Sequence, residues 1–154
     1  MKKPMVNTIN ADVMPRSDYG QVLKAILKEG LCPFCEKNLF RHHSKPILIK
    51  TKHWLVTENA WPYEGTKHHF VFIVRHHIEG AEHLTPLMWA DLGAAFKKLI
   101  KKTKISGGSF VMRNGKMEYT GASVRHLHAQ LIVGVQRSKQ TEPLKALIGY
   151  KRKK

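Results

Sequence analysis

The sequence predicts an α+β domain: an antiparallel sheet of about five strands with one long helix packed on it. Two observations predict it. Short apolar runs rich in β-branched and aromatic residues recur along the chain, most of them joined by short loops. One longer stretch, residues 86–102, instead carries its apolar residues at helical spacing and separates the third run from the fourth. With 154 residues the chain is one domain's worth, long enough to bury most of its apolar surface, and it shows no repeat at solenoid periods.

The elements follow in order. Residues 1–16 lack periodicity and are expected to form a flexible arm ahead of a single domain over 17–150. Ser17 or Asp18 can cap a short helix with Val22, Ile26 and Leu27 at helical spacing, and Gly30 stops it. A Cys-Pro-Phe-Cys knuckle comes next. ILIK (47–50) and HWLVTEN (53–59) read as strands joined by a hairpin-like reversal, WPYEGTK as loop, and HHFVFIV (68–74) as the third strand. Thr85 caps the long helix and Pro86 takes its first position. Met88, Leu92, Ala95, Phe96 and Leu99 form its buried stripe, and Lys97, Lys98, Lys101 and Lys102 lie where the negative end of the helix favours cations. Gly107 and Gly108 break the pattern, SFVMRNG is a fourth strand, and Val124 to Val135 a fifth. Residues 151–154, Lys-Arg-Lys-Lys, are a solvated basic tail.

Lysine and arginine number 27 against 11 acidic residues, a formal charge of +16. Such a field favours anionic partners, from nucleotides to nucleic acid, without choosing among them. The only two cysteines, Cys32 and Cys35, make no disulfide framework and read as a metal or redox pair in a reducing compartment. The amino terminus lacks the apolar run of a signal peptide, and no stretch approaches the roughly 18 apolar residues of a membrane span. A cytoplasmic protein is expected.

The fifth strand holds the chemistry. In GASVRHLHAQLIVG, alternation puts His126, His128 and Gln130 on one face and Leu127, Ala129 and Leu131 on the other. Satisfied histidines in a half-buried sheet are the ordinary explanation for any one of them; three polar groups after Gly121-Ala122-Ser123 ask for more. A neutral imidazole is a nucleophile toward phosphorus, Gln donates to a phosphoryl oxygen without changing charge, and the small residues leave room for an anion.

The block from about 53 to 134 resembles the histidine triad superfamily of nucleotide hydrolases and transferases. NAWP (59–62), HHFVFIVRHHIEGAEHLTP (68–86), Asn114 and Ser123 fall in the family's order, with a loop between Asn114 and Ser123 one residue longer than is common. Gln130 stands where the family name has a third histidine, a pattern similar to the galactose-1-phosphate uridylyltransferase and diadenosine tetraphosphate phosphorylase branches. The resemblance implies a nucleotidyl-histidine at His128 with Gln130 beside it. It also implies nucleotide contacts from Asn59, Asn114 and Ser123, and a homodimer joined sheet edge to sheet edge. Gln cannot donate a proton to an expelled group, so leaving groups that depart as anions, such as phosphate, are expected over amines.

Two thiolates need two further ligands for a structural zinc. The spacing within the knuckle allows His42 or His43; relatives with this Cys pair point to His77 and His126. The ligand set implied by the resemblance is therefore Cys32, Cys35, His77 and His126 around Zn2+. Trp61 is a candidate for lining a base pocket, Trp89 for the core, and Lys67, His68, His69 and Arg125 for solvated or fold-supporting positions. The function expected is nucleotidyl transfer, phosphorolysis or hydrolysis of a nucleoside polyphosphate or nucleotide sugar. The alternative, prompted by the charge, is a zinc-stabilised nucleic-acid-binding protein without turnover, although no compact recognition motif accompanies it.

Overall fold

The computed structural model describes Val6 and residues 18–154; apart from Val6, the expected arm and Ser17 lie outside the described residues. Helix α1 (Tyr19–Glu29) is followed by a 3-10 turn at Leu39–Arg41, strands β1 (Ile47–Lys50), β2 (Trp54–Glu58) and β3 (His68–Val74), and a second 3-10 turn at Ala81–His83. Helix α2 (Pro86–Thr103), strand β4 (Ser109–Met112), the single-turn helix α3 (Met117–Thr120) and strand β5 (His128–Val133) complete the order. The five strands form one antiparallel sheet in the order β1-β2-β3-β5-β4.

Strand alternation divides the sheet into two unlike faces. One buries Trp54, Val56, Phe70, Phe72, Val74, Ala129, Leu131 and Val133 under Met88, Leu92, Ala95 and Leu99 of α2. These are the helix residues the 3.6-residue spacing selects, so propensity and tertiary packing agree here. The Trp54 indole N–H reaches the Met88 carbonyl at 2.8 Å, satisfying the one polar atom of a wholly buried ring. Thr85 caps the helix by accepting from the Met88 N–H at 3.3 Å. The helix ends at Lys104, in the left-handed region at φ 58°, before the expected glycine break; its N–H closes on the Ile100 carbonyl at 2.8 Å.

The opposite face carries Leu55, Val71 and Ile73, with Leu39 packed on them. Register places Ile73 opposite His128 and Val71 opposite Gln130, so both polar side chains of β5 look out from this second face. Over it lies α1, whose buried residues are Leu23 and Ile26. Leu27, at helical spacing with Val22 and Ile26, is exposed. Leu23 and Ile26 pack with Val6 and Val124, which also form an isolated antiparallel bridge. Gly30 ends α1 at φ 66°, where its N–H bonds the Ile26 carbonyl.

Two expectations are corrected. Strand β5 starts at His128 rather than Val124, because Leu127 N–H bonds the Ile78 carbonyl outside the sheet ladder. Trp89 is exposed rather than part of the core, since it sits on the solvent side of α2. Of the four residues expected in solvated or fold-supporting positions, His69 and Arg125 are buried. Among the described residues no helix is long and apolar enough to cross a membrane.

Candidate active site and metal centre

A cavity opens between the second face of the sheet, α1 and the knuckle. From the sheet, Val71 and Ile73 supply its floor and His128 and Gln130 its polar groups; Asn59, Trp61 and Tyr63 come from the loop after β2 and Ser123 from the segment before β5. Pro33 and Phe34 of the knuckle close one side.

His128 is 5% exposed. Its Nδ1–H donates to the His126 carbonyl at 2.7 Å, which fixes the tautomer and leaves Nε2 as the basic nitrogen. Burial holds this ring down to about 4, with Arg113 and His69 nearby pushing the same way, so it is neutral at physiological pH. The Phe34 and His128 rings pack in a T-shaped pair with centroids 4.9 Å apart and planes at 85°.

Gln130 is oriented by a residue the sequence reading set aside. His69 Nδ1 accepts from the Tyr63 backbone N–H at 3.2 Å, so the ring proton sits on Nε2, which donates to Gln130 Oε1 at 2.8 Å. The amide NH2 of Gln130 is thereby left as a donor. Asn59 lies against the same cluster: its Oδ1 accepts from the Trp61 N–H at 2.9 Å, and its side-chain amide sits beside the His69 ring. The only sequence signal for His69 was its place in β3 beside the face that carries Gln130.

Asn114 stands apart from the other implied nucleotide contacts. Its Oδ1 accepts from the Ala81 N–H at 2.5 Å, and it is not among the residues lining the cavity. The adjacent Arg113 takes a place in the lining instead.

Next to the cavity, Cys32, Cys35, His77 and His126 bring their ligand atoms within 4.8 Å of one another. The separations are 3.2 Å between the two Nδ1 atoms, 3.3 Å from Cys32 Sγ to His126 Nδ1, 3.5 Å from Cys35 Sγ to His77 Nδ1, and 3.9 Å from Cys35 Sγ to His126 Nδ1. Metal–sulfur bonds of about 2.3 Å and metal–nitrogen bonds of about 2.0–2.1 Å give a tetrahedron with edges of roughly 3.3 Å for N–N and 3.6 Å for S–N. The cluster fits that figure. His126 Nε2–H donates to the Val74 carbonyl at 2.6 Å, aiming the unprotonated Nδ1 at the cluster. Burial pushes the Cys32 thiol up to about 12 and holds His126 down to about 4. An imidazole ready to coordinate is in place, and a divalent cation would supply the charge that the buried thiolate needs. The other histidines once open as ligands are engaged elsewhere: His42 with Glu29 at 2.9 Å and His43 with Thr57 at 2.7 Å.

This arrangement, a five-stranded antiparallel sheet with one covering helix, is the fold of solved histidine triad proteins. Among solved structures the chain is similar to a HIT family hydrolase from Clostridium thermocellum (22% identity over 71% of this chain and 95% of that one, TM-score 0.56). It is likewise similar to a HIT family hydrolase from Legionella pneumophila (22%, 71% and 98%, TM-score 0.56). A third is a histidine triad nucleotide-binding protein from Candida albicans (21%, 73% and 87%, TM-score 0.55). No family model and no curated protein matches the sequence.

Proposed function

We propose that the protein is a nucleotidyl transferase or hydrolase that works through a covalent nucleotidyl-His128 intermediate, taking a nucleoside polyphosphate or nucleotide sugar as donor. The observation that carries this reading is the state of His128: a buried neutral ring, its Nδ1–H held by the His126 carbonyl, its Nε2 without a hydrogen-bond partner among the described residues, lining a cavity beside Gln130. The solved proteins that share the fold include ones described as hydrolases and as nucleotide-binding.

In the first step Nε2 attacks the phosphorus bearing the nucleoside, an N–P bond forms, and the P–O bond to the rest of the phosphate chain breaks with its electron pair on oxygen. The Gln130 NH2 donates to the phosphoryl oxygens as charge builds there. No proton need reach the departing oxygen, because a phosphate leaves as an anion. In the second step phosphate or a sugar phosphate, or water with loss of a proton to solvent, attacks phosphorus and the N–P bond breaks, returning neutral His128. Asn59 and Ser123 contact the nucleotide in this reading. Cys32, Cys35, His77 and His126 hold zinc, which when bound cross-links the knuckle to the segment leading into β5 and takes no part in bond making. Two copies associate through sheet edges.

The test is intact-protein mass spectrometry after brief exposure to a panel of nucleoside polyphosphates and nucleotide sugars. The expected result is a mass increase of one nucleotidyl group that is lost in His128→Ala. Absence of an adduct with every donor, together with a steep salt-dependent affinity for DNA or RNA, overturns the reading in favour of a nucleic-acid-binding protein.

A further inference from the structure

Among the described residues that line the cavity, Arg113 is the one permanently charged side chain and none is a carboxylate. The residue is 7% exposed. Its Nε–H donates to the Thr120 carbonyl at 3.0 Å, and Nη2 donates to the Tyr63 hydroxyl at 2.7 Å and to the Leu147 carbonyl. All three partners are neutral, Nη1 has no partner among the described residues, and Arg113 belongs to none of the ion pairs found there. A buried guanidinium without a counter-charge is costly, and in folded proteins such groups are paired or meet a charged ligand. A planar fork with two free N–H groups matches the oxygens of a phosphate.

Among the described lining residues there is no other lysine or arginine, and Gln130, an amide, cannot neutralise an expelled phosphate. Asn114, the neighbour of Arg113, is turned away to the Ala81 N–H. Resting on the nucleotidyl-transfer reading above, we propose that Arg113 binds the phosphate chain of the substrate and selects donors with at least one phosphate beyond the one attacked. The departing phosphate leaves against this guanidinium, which offsets the anion that Gln130 cannot protonate. Tyr63, Thr120 and Leu147 act as positioning groups that hold the fork in place.

The experiment measures calorimetric binding of inorganic pyrophosphate and of orthophosphate to the full chain in about 0.5 M salt, where the screening length is only a few ångströms and exposed lysines count little. The wild type is expected to prefer pyrophosphate. Arg113→Gln should lose that preference, with pyrophosphate affinity falling about tenfold to a hundredfold, the range of one or two charge-assisted hydrogen bonds. Arg113→Lys should recover part of it. Because Arg113 also holds three neutral partners, a second measurement uses the wild type alone: the Arg113 Nε–Hε resonance in arginine-labelled protein should shift on adding pyrophosphate. An unmoved resonance, or unchanged pyrophosphate affinity in a folded Arg113→Gln, overturns the proposal. Adduct formation at wild-type rate in Arg113→Gln would overturn it while leaving the His128 reaction standing. Arg113-dependent pyrophosphate binding without any His128 adduct would do the reverse.

Discussion

His69 and Gln130 are joined across the β3–β5 pair by a 2.8 Å hydrogen bond whose direction is set from behind, by the Tyr63 backbone N–H on the far nitrogen of the same imidazole. A free glutamine amide can present either end to a ligand. This one can present only its NH2.

Gln130→Ala is therefore expected to slow adduct formation by about 10²–10³-fold, the usual effect of removing one donor to a developing oxyanion. His69→Ala should slow it less, by roughly tenfold, since the amide can still reach the phosphoryl group in some orientations. In the double variant the His69 change should add nothing to the Gln130 change, because both remove the same interaction. Single-turnover rates from rapid-quench experiments on the four proteins check this; full additivity would show that His69 acts elsewhere.

Gln130→His places a protonatable group beside the departing atom. Activity on a nucleoside phosphoramidate should appear or rise relative to the matching phosphoanhydride, because an amine needs a proton to leave and a phosphate does not. The ratio of the two kcat/KM values is the readout, and an unchanged ratio argues against this placement of Gln130.

Protein purified without chelator should contain one zinc per chain by elemental analysis. Chelation, or His77→Ala, should destabilise the fold by about 3 kcal/mol or more, lowering the thermal midpoint by roughly 6–12 °C for a domain of this size. Zinc retained at full stoichiometry in His77→Ala would remove that residue from the ligand set.

His43 gives a pH signature away from the metal. Burial, and secondarily the charge of Lys45, hold its ring below the ordinary 6.5. The folded state thus binds fewer protons here than the unfolded chain, and stability rises with pH in the window below about 6.5. The contribution is fully present above that value and is lost as the pH falls toward the folded pKa. His43→Gln should make the stability–pH curve shallower below about pH 6.5, while costing about 1 kcal/mol at pH 8 through the lost bond to Thr57. Urea midpoints across pH 5 to 8 test both.

The sheet and the long helix were legible because local and tertiary preferences coincide in them. The helical spacing from Met88 to Leu99 and the β-branched run of β3 lead to the same buried faces that the packing requires. Arg113 and His69 were not legible for the opposite reason. A lone Arg after a strand and a His at a strand's start are normally solvated, and what turns these two inward lies far off in sequence: Tyr63, Leu147 and Gln130. Asn114 shows another side of this: the resemblance implies a nucleotide contact from it, and the fold gives its side-chain oxygen a second task, accepting from the Ala81 N–H.

Cys32 and His126 approach to 3.3 Å although 94 positions separate them along the chain. During synthesis, then, the two thiols leave the ribosome long before half of their partners exist. Through that interval they are a bare dithiol, open to oxidants and to scavenging of whatever soft cation is at hand. On the proposed zinc reading metal loading would be a late event in the life of each molecule, and a cell short of zinc should accumulate full-length chains with an oxidised knuckle.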